Sequence, residues 1–431
     1  EPTPLPDDYP TLPKLEALAE SAAAMQQKFY RPPINVTFRD GTNKVGVKQS
    51  RCNGCGDCVT GCNYAAKNTT LMNYLPDAKN NGAEIFTQTS VRYLEKRDGK
   101  WVIHFQELNE GREDFSAPLL SVSADIVVLA AGTLGSTEIL LRSRERGLPA
   151  SDQLGEHFTG NGDVLGFGYN TQDVINGIGY GHRDPKRRDP VGPCIAGIID
   201  MRQRPQLNEG MVIEEGSIPG AIGGLIPIAL EAAAGSQKVL GVAAAAGART
   251  GFVTTVQQKV RNLENMFGPY HGAVHHTQTY LVMTHDGSDG KMVLEKDRLR
   301  IKWPGVGNKP IFSKVNDNLK QATDPLGGQY VSNPTWSELQ RHELVTVHPL
   351  GGCVMSADAS AGVVNHKGQV YSAAEGTAVH SGLYVSDGSV IPRSLGVNPL
   401  LTISAVAERC CELMAADRGW TIDYMLPSHP A

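Results

Sequence analysis

Asp125-Ile126-Val127-Val128-Leu129-Ala130-Ala131-Gly132 is an unbroken apolar run between an acid and a glycine, and it leads straight into LGSTEILLRSRERG. A strand that is apolar on both faces belongs in a buried parallel sheet, and a glycine followed at once by a helical pattern makes a strand-turn-helix unit. That unit commits the chain to an α/β layer, in which ligands sit beyond the carboxyl ends of the strands and helix amino termini favour phosphate. A second strand-like run, GLYVSDGS at 382–389, precedes a helical pattern from Pro399 to Asp417. There Ile403, Val406, Ala407, Cys410, Leu413 and Met414 share one face, so the chain is expected to return to the same layer and pack there.

Other stretches fill in the organisation. Apolar spacing predicts one amphipathic helix over Tyr9–Phe29, ended by Arg31-Pro32-Pro33, and a helix over Lys67–Gly82 capped by Thr69 or Thr70. Alternating runs at Glu84–Thr89, Val91–Glu95 and Trp101–Leu108, with a turn at Asp98-Gly99, predict a short antiparallel meander. Residues from about 165 to 340 contain no strand-turn-helix unit and are expected to form a separate domain. No GxGxxG follows an early strand, and no acid stands at the matching distance beyond one, so a dinucleotide site made by this chain alone is incomplete. The amino terminus, EPTPLPDDYPTLP, lacks Met and any apolar signal, which predicts that the chain begins partway into its gene product.

Charge narrows the partners. Forty basic against forty-five acidic side chains leave a net charge of -5 with no basic block, which argues against nucleic acid. The run His182–Arg188 is interrupted by Asp184 and reads as a solvated loop. The most apolar stretch, Gly220–Gly247, carries Glu231, Lys238 and several glycines; core helices or a cavity wall suit it better than a transmembrane segment. A cytoplasmic protein, or one peripheral to a bacterial membrane, is the expectation.

Four of the eight cysteines, Cys52, Cys55, Cys58 and Cys62, have the spacing C-x2-C-x2-C-x3-C. This is the ligand run of bacterial ferredoxins, with Asn63 where a proline usually follows. The spacing admits a 4Fe-4S cluster, a zinc ion, or a structural turn with free thiols.

Three segments resemble the glucose-methanol-choline (GMC) oxidoreductases, in particular their cholesterol oxidase branch. The first is VTVHPLGGCVMS (345–356) with GLYVSDGSVIP (382–392) and GVNPLLTISAVAER (396–409). The second is ADIVVLAAGTLGSTEILLRS (124–143) with GNGD at 160–163, and the third is IEEGSIPG (213–220). The resemblance implies a Rossmann-like FAD-binding fold, its amino-terminal part missing, with an interleaved substrate domain built on an antiparallel sheet. It divides the chain into a helical, cysteine-bearing segment of the substrate side (1–80), part of the FAD-binding domain (81–165), the substrate-binding domain (166–370) and a return to the FAD-binding domain (371–431). It implies that Gly132, Asn161, Gly162, Asp387, Gly388, Asn398 and Pro399 contact FAD, and that His348, Asn398 and Glu214, or the adjoining Glu215, are catalytic.

Those residue types suit oxidation of a bulky secondary alcohol such as a sterol. The hydroxyl proton must be accepted while hydride leaves carbon for the flavin, and a histidine-asparagine pair can hold the hydroxyl. Glutamate can serve as a base. Two further readings are a dehydrogenase of a sugar, terpenoid or aromatic alcohol that passes electrons through an iron-sulfur cluster, and an electron-transfer subunit of a larger complex. The missing fingerprint predicts a companion polypeptide that carries GxGxxG.

Overall fold

The computed structural model describes residues 2–109, 111–112, 116–184, 188–225, 230, 233–234, 252–337 and 340–425. Its α/β layer is a small sheet in which Val127–Leu129 pairs in parallel with Val379–Val385, and Gln369–Tyr371 pairs antiparallel on the far side of the latter. The helix Gly132–Glu145 follows the first strand, as the glycine break predicts. The core here joins Leu129, Leu140, Leu141, Leu350, Val364, Leu383 and Val385. Truncating one such buried leucine to alanine costs about 2–5 kcal/mol.

Burial of the first strand departs from expectation. Val128 is 41% exposed, and among the described residues Val127–Leu129 has a hydrogen-bonded neighbour on one edge only. An apolar run reports the environment the strand is suited to, and here half of that environment is not provided by the described residues.

Three local expectations are corrected. The first helix covers only Pro13–Ala24: Pro13 starts it, Gln26 takes a positive φ of 53°, and Lys28–Tyr30 continues as a strand. The 67–82 segment is a 3-10 turn, Thr70–Met72, and a separate helix, Tyr74–Asn80, whose cap is Asn73 rather than Thr69 or Thr70. The meander consists of Thr89–Arg97, Lys100–Glu107 and Leu120–Ala124, so the 84–89 run is not its first strand. Its Asp98-Gly99 turn has φ of 51° and 81°, the doubly left-handed pair that matches strand twist in a two-residue hairpin.

The second layer is a six-stranded antiparallel sheet, in the order Lys28–Tyr30, Ile198–Met201, Met211–Gly216, Gln278–Met283, Val164–Tyr169 and Gln329–Ser332. One face packs Ile199, Ile213, Tyr280 and Val282 against Leu18 of the first helix and Phe312, Val315 and Leu319 of Pro310–Thr323. Because side chains alternate along a strand, Ile213 and Glu215 take the helix-covered face while Val212 and Glu214 take the other. Glu215 is fully buried and meets the equally buried Lys14 at 2.7 Å; Lys14 also donates to the Pro193 carbonyl at 2.6 Å. A charged pair thereby rivets the first helix to the sheet.

The last helix, Leu400–Asp417, matches its predicted range, and the predicted face of Ile403, Val406, Ala407, Cys410, Leu413 and Met414 is buried or half-buried. Ile403 and Val406 touch the core and Cys410 is buried, whereas Leu400 and Leu401 are 52% and 64% exposed. Of the apolar stretch 220–247, the structure describes a short helical turn, Gly220–Gly223, and a few later residues; the rest lies outside the described residues. Among the described residues no helix is long and apolar enough to cross a membrane.

Candidate active site

The GNGD turn at 160–163 is held from beneath by one carboxylate. Asp286, 2% exposed, accepts from the Thr159 hydroxyl (2.6 and 2.7 Å) and from the backbone N–H groups of Gly160 (2.9 Å), Gly162 (2.9 Å) and Ser288 (3.1 Å). Asn161 and Gly162 both take left-handed φ, 57° and 63°, and a Cβ on Gly162 would lie 2.6 Å from the Thr284 carbonyl. The Asn161 side chain is consumed internally. Its oxygen accepts from the N–H groups of Leu395 (2.8 Å) and Gly396 (3.2 Å), and its amide donates to the Val397 carbonyl (2.8 Å). It therefore fixes the backbone that immediately precedes Asn398.

Asp163 closes the same turn and faces the His348 segment. His348 Nδ1 lies 2.9 Å from one Asp163 oxygen, while the other accepts from the Val347 N–H (2.8 Å) and the Thr346 hydroxyl (3.1 Å). Thr133 ties the segment to the α/β layer by donating to the Pro349 carbonyl at 2.8 Å.

Glu214 sits on the open face of the six-stranded sheet with no exposure. Ile198 and Leu281 are its cross-strand partners, and Val212 lies two positions away on the same face. One carboxylate oxygen accepts from the Asn398 amide at 3.3 Å; the other has no hydrogen-bond partner. Loss of water pushes the Glu214 carboxyl up to about 8. The Asn398 hydrogen bond opposes that rise, and the nearby Glu215 and Asp163 carboxylates add to it. Glu215, the adjoining alternative, is bonded to Lys14 on the opposite face and does not share this site.

Asp387 joins the two parallel strand ends. It accepts from the Ser136 hydroxyl (2.5 Å) in the first turn of Gly132–Glu145, and from the backbone N–H (2.8 Å) and hydroxyl (2.6 Å) of Ser389. A Cβ on Gly388 would crowd Thr133 at 3.1 Å and Leu350 at 3.3 Å, so glycine lets the two turns approach. Gly132 has a φ of 74° and nothing within 4 Å of where a Cβ would stand, which leaves the helix amino terminus open above the strand ends. Pro399 starts the last helix, and its carbonyl accepts from the Ile403 N–H at 2.9 Å.

Comparison with known proteins fits this layout. GMC oxidoreductase family models match residues 10–161 and 296–407. The chain belongs to the GMC oxidoreductase family. It is 28% identical to a Mycobacterium tuberculosis cholesterol oxidase over 86% of this chain and 60% of that protein, and 26% identical to one from Acinetobacter baumannii over 87% and 63%. An Arabidopsis thaliana long-chain-alcohol oxidase is 23% identical over 88% and 50%. The chain thus spans about three-fifths of the length of the cholesterol oxidases it matches. Among solved structures, an Aspergillus oryzae formate oxidase superposes with a TM-score of 0.57 at 14% identity, covering 94% of this chain and 70% of that one. A pyridoxine 4-oxidase superposes with 0.51 at 16% identity, covering 96% and 71%.

In this GMC chain Cys52, Cys55, Cys58 and Cys62 are free, half-buried, and border one small cleft. Among the described residues no three His, Cys, Asp or Glu side chains are grouped so as to hold a metal ion, so the metal-ligand expectation for these cysteines is not met as a preformed site. Burial raises the Cys52 thiol and pushes Cys55 up to about 12. The loop has a firm structural role. Asp57 accepts from the N–H groups of Gly181 (2.9 Å) and Gly220 (2.8 Å), and the Gly56 carbonyl accepts from the Ser217 hydroxyl (2.7 Å), which docks the loop beyond the end of the strand bearing Glu214.

Asp163 and Asp286 escaped the sequence reading. GNGD resembles a cofactor loop and gives no sign of a histidine partner; Asp286, within HDGSDG, looks like any turn residue.

Proposed function

We propose that this chain carries the alcohol-oxidising centre of an FAD-dependent enzyme that converts a bulky secondary alcohol to a ketone. The observation that carries the reading is the meeting of Asn398 and Glu214 beside the apolar sheet face of Ile198, Val212 and Leu281, with the one turn at 160–163 fixing the backbone before Asn398 through Asn161 and meeting the His348 ring through Asp163.

The residues present fit a flavin. The open amino terminus at Gly132, the Asn161-Gly162 turn, the Asp387-Gly388 turn, Asn398 and Pro399 are the groups that would hold it, and Glu214 has an unpartnered oxygen facing the same region. When bound, FAD supplies the acceptor for hydride.

His348 accepts the hydroxyl proton as hydride leaves the carbinol carbon. Asn398 orients that hydroxyl through its amide. Glu214, pushed up to about 8, keeps its proton at neutral pH and releases it in mildly alkaline solution, which suits proton movement within the bound substrate. The apolar sheet face favours a sterol or hydroxysteroid over a sugar. Residues 81–165 and 371–431 form the FAD side in this reading, and 1–80 with 166–370 the substrate side.

Among the described residues the outer edge of Val127–Leu129 has no strand partner, which supports the reading that a companion polypeptide pairs there. The four thiols around one cleft are what supports an iron-sulfur relay, and an electron paramagnetic resonance spectrum of the dithionite-reduced protein tests it. An electron-transfer subunit has no use for the Asn398–Glu214 pair.

Incubating the flavin-loaded protein with hydroxysteroids, long-chain alcohols, aryl alcohols and sugars, with product analysis, tests the substrate class. A ketosteroid product is expected. Turnover of sugars alone would remove the sterol reading, and turnover of nothing would remove the enzyme reading.

A further inference from the structure

We infer that Asp163 is the positioning residue of this centre: by receiving the Nδ1 proton of His348 it fixes the imidazole tautomer, and so leaves Nε2 as the bare nitrogen that takes the substrate proton. The catalytic consequence rests on the alcohol-oxidation reading; the tautomer assignment does not.

Asp163 is 3% exposed, and a carboxylate can only accept hydrogen bonds. One oxygen is already committed to the Val347 N–H at 2.8 Å, a backbone donor that cannot reverse its role, and to the Thr346 hydroxyl at 3.1 Å. The other oxygen stands 2.9 Å from His348 Nδ1, so that nitrogen must carry the hydrogen. A neutral imidazole holds one ring proton, hence Nε2 has a lone pair. The His348 backbone is also fixed, since its N–H donates to the Thr346 hydroxyl oxygen at 3.0 Å, and the Thr346 hydroxyl lies 2.8 Å from the Gly160 carbonyl. Ring orientation and tautomer are thus set by the turn that Asp286 clamps.

The substitution Asp163→Asn inverts this logic. Its side-chain oxygen must face the Val347 N–H, because an NH₂ group there would confront a donor. The NH₂ then faces His348 Nδ1, which can accept only as the opposite tautomer, with hydrogen on Nε2. That tautomer cannot take a hydroxyl proton, the same reversal that makes aspartate-to-asparagine changes so costly beside catalytic histidines elsewhere.

Nitrogen-15 NMR of histidine-labelled protein reads the tautomer directly, with the His348 signals assigned by their loss in His348→Gln. The wild-type protein is expected to show Nδ1 protonated and Nε2 bare, and Asp163→Asn the reverse. Thr346→Val removes the hydroxyl that meets the His348 N–H, the Gly160 carbonyl and one Asp163 oxygen, but leaves Asp163 bonded to the Val347 N–H and to His348 Nδ1; it keeps the wild-type tautomer even where it lowers the melting temperature. In turnover assays Asp163→Asn lowers kcat by roughly a hundredfold or more, while KM shifts by less than about threefold. A wild-type His348 protonated on Nε2 overturns the proposal with no variant needed, as does an unchanged tautomer in Asp163→Asn. If the wild-type protein oxidises no alcohol, the enzyme reading fails while the NMR result still decides the role of Asp163.

Discussion

Asn398 and Glu214, 184 residues apart, meet across 3.3 Å, so the turn before the last helix is tied to the third strand of the six-stranded sheet. Among the described residues the amide is the one hydrogen-bond donor to the Glu214 carboxyl, whose other oxygen has no partner.

Stability is predicted to fall as pH rises through the Glu214 transition. Its carboxyl releases its proton near the usual 4.5 when unfolded and near 8 when folded, so between those values the folded state holds a proton that the unfolded state has lost. The stability this contributes is fully present below about pH 4.5, declines across the window and is gone above about pH 8, a span on the order of a few kcal/mol. Glu214→Gln does not titrate. The melting temperature of wild type minus that of Glu214→Gln, followed from pH 5 to 8.5, should decline steadily; a flat difference contradicts the assignment.

Asp286→Ala should destabilise the protein by about 3 kcal/mol or more, because the buried donors of Thr159, Gly160 and Gly162 lose their shared acceptor. Chemical denaturation measures this. The same variant should lose bound flavin on gel filtration, since the turn it releases also sets the backbone before Asn398 through Asn161.

How much of this was legible in the sequence depends on the kind of signal. His348, Asn398 and Glu214 stand in long, distinctive motifs, and the strand-turn-helix at 125–145 declared itself by apolar continuity and glycine. Asp163 and Asp286 did not, because an isolated acid in a glycine-rich turn has no periodicity, and its value lies in partners more than a hundred residues away. Periodicity also ran past the breaks at Gln26 and Asn73, where backbone conformation, not side-chain pattern, ends the helix. The exposure of Val128 was invisible for another reason: sequence specifies which faces are apolar, not which neighbour covers them.

Lys14 and Glu215 offer a cleaner energetic test. Lys14→Met leaves an uncompensated carboxylate in the core and should cost about 3–5 kcal/mol, whereas Lys14→Met combined with Glu215→Leu should recover most of that loss. Urea unfolding of the single and double variants measures the recovery; additive losses would mean that the pair is not coupled.

Gly162→Ala should be costly out of proportion to one methyl group. The added carbon would need a left-handed backbone and would stand 2.6 Å from the Thr284 carbonyl, so a loss of about 2 kcal/mol or more is expected in the melting profile. Gly99→Ala, at an equally left-handed φ of 81° but with nothing within 4 Å of its Cβ, should lose less.

Alcohol oxidation is predicted to depend on His348 and Asn398 together. This dependence is tested most directly by mixing flavin-loaded protein anaerobically with a hydroxysteroid and following flavin absorbance near 450 nm. Wild type is predicted to bleach in a single phase, with His348→Gln and Asn398→Ala each slowed by about a hundredfold or more while retaining flavin. Bleaching at the wild-type rate in both variants would contradict the account.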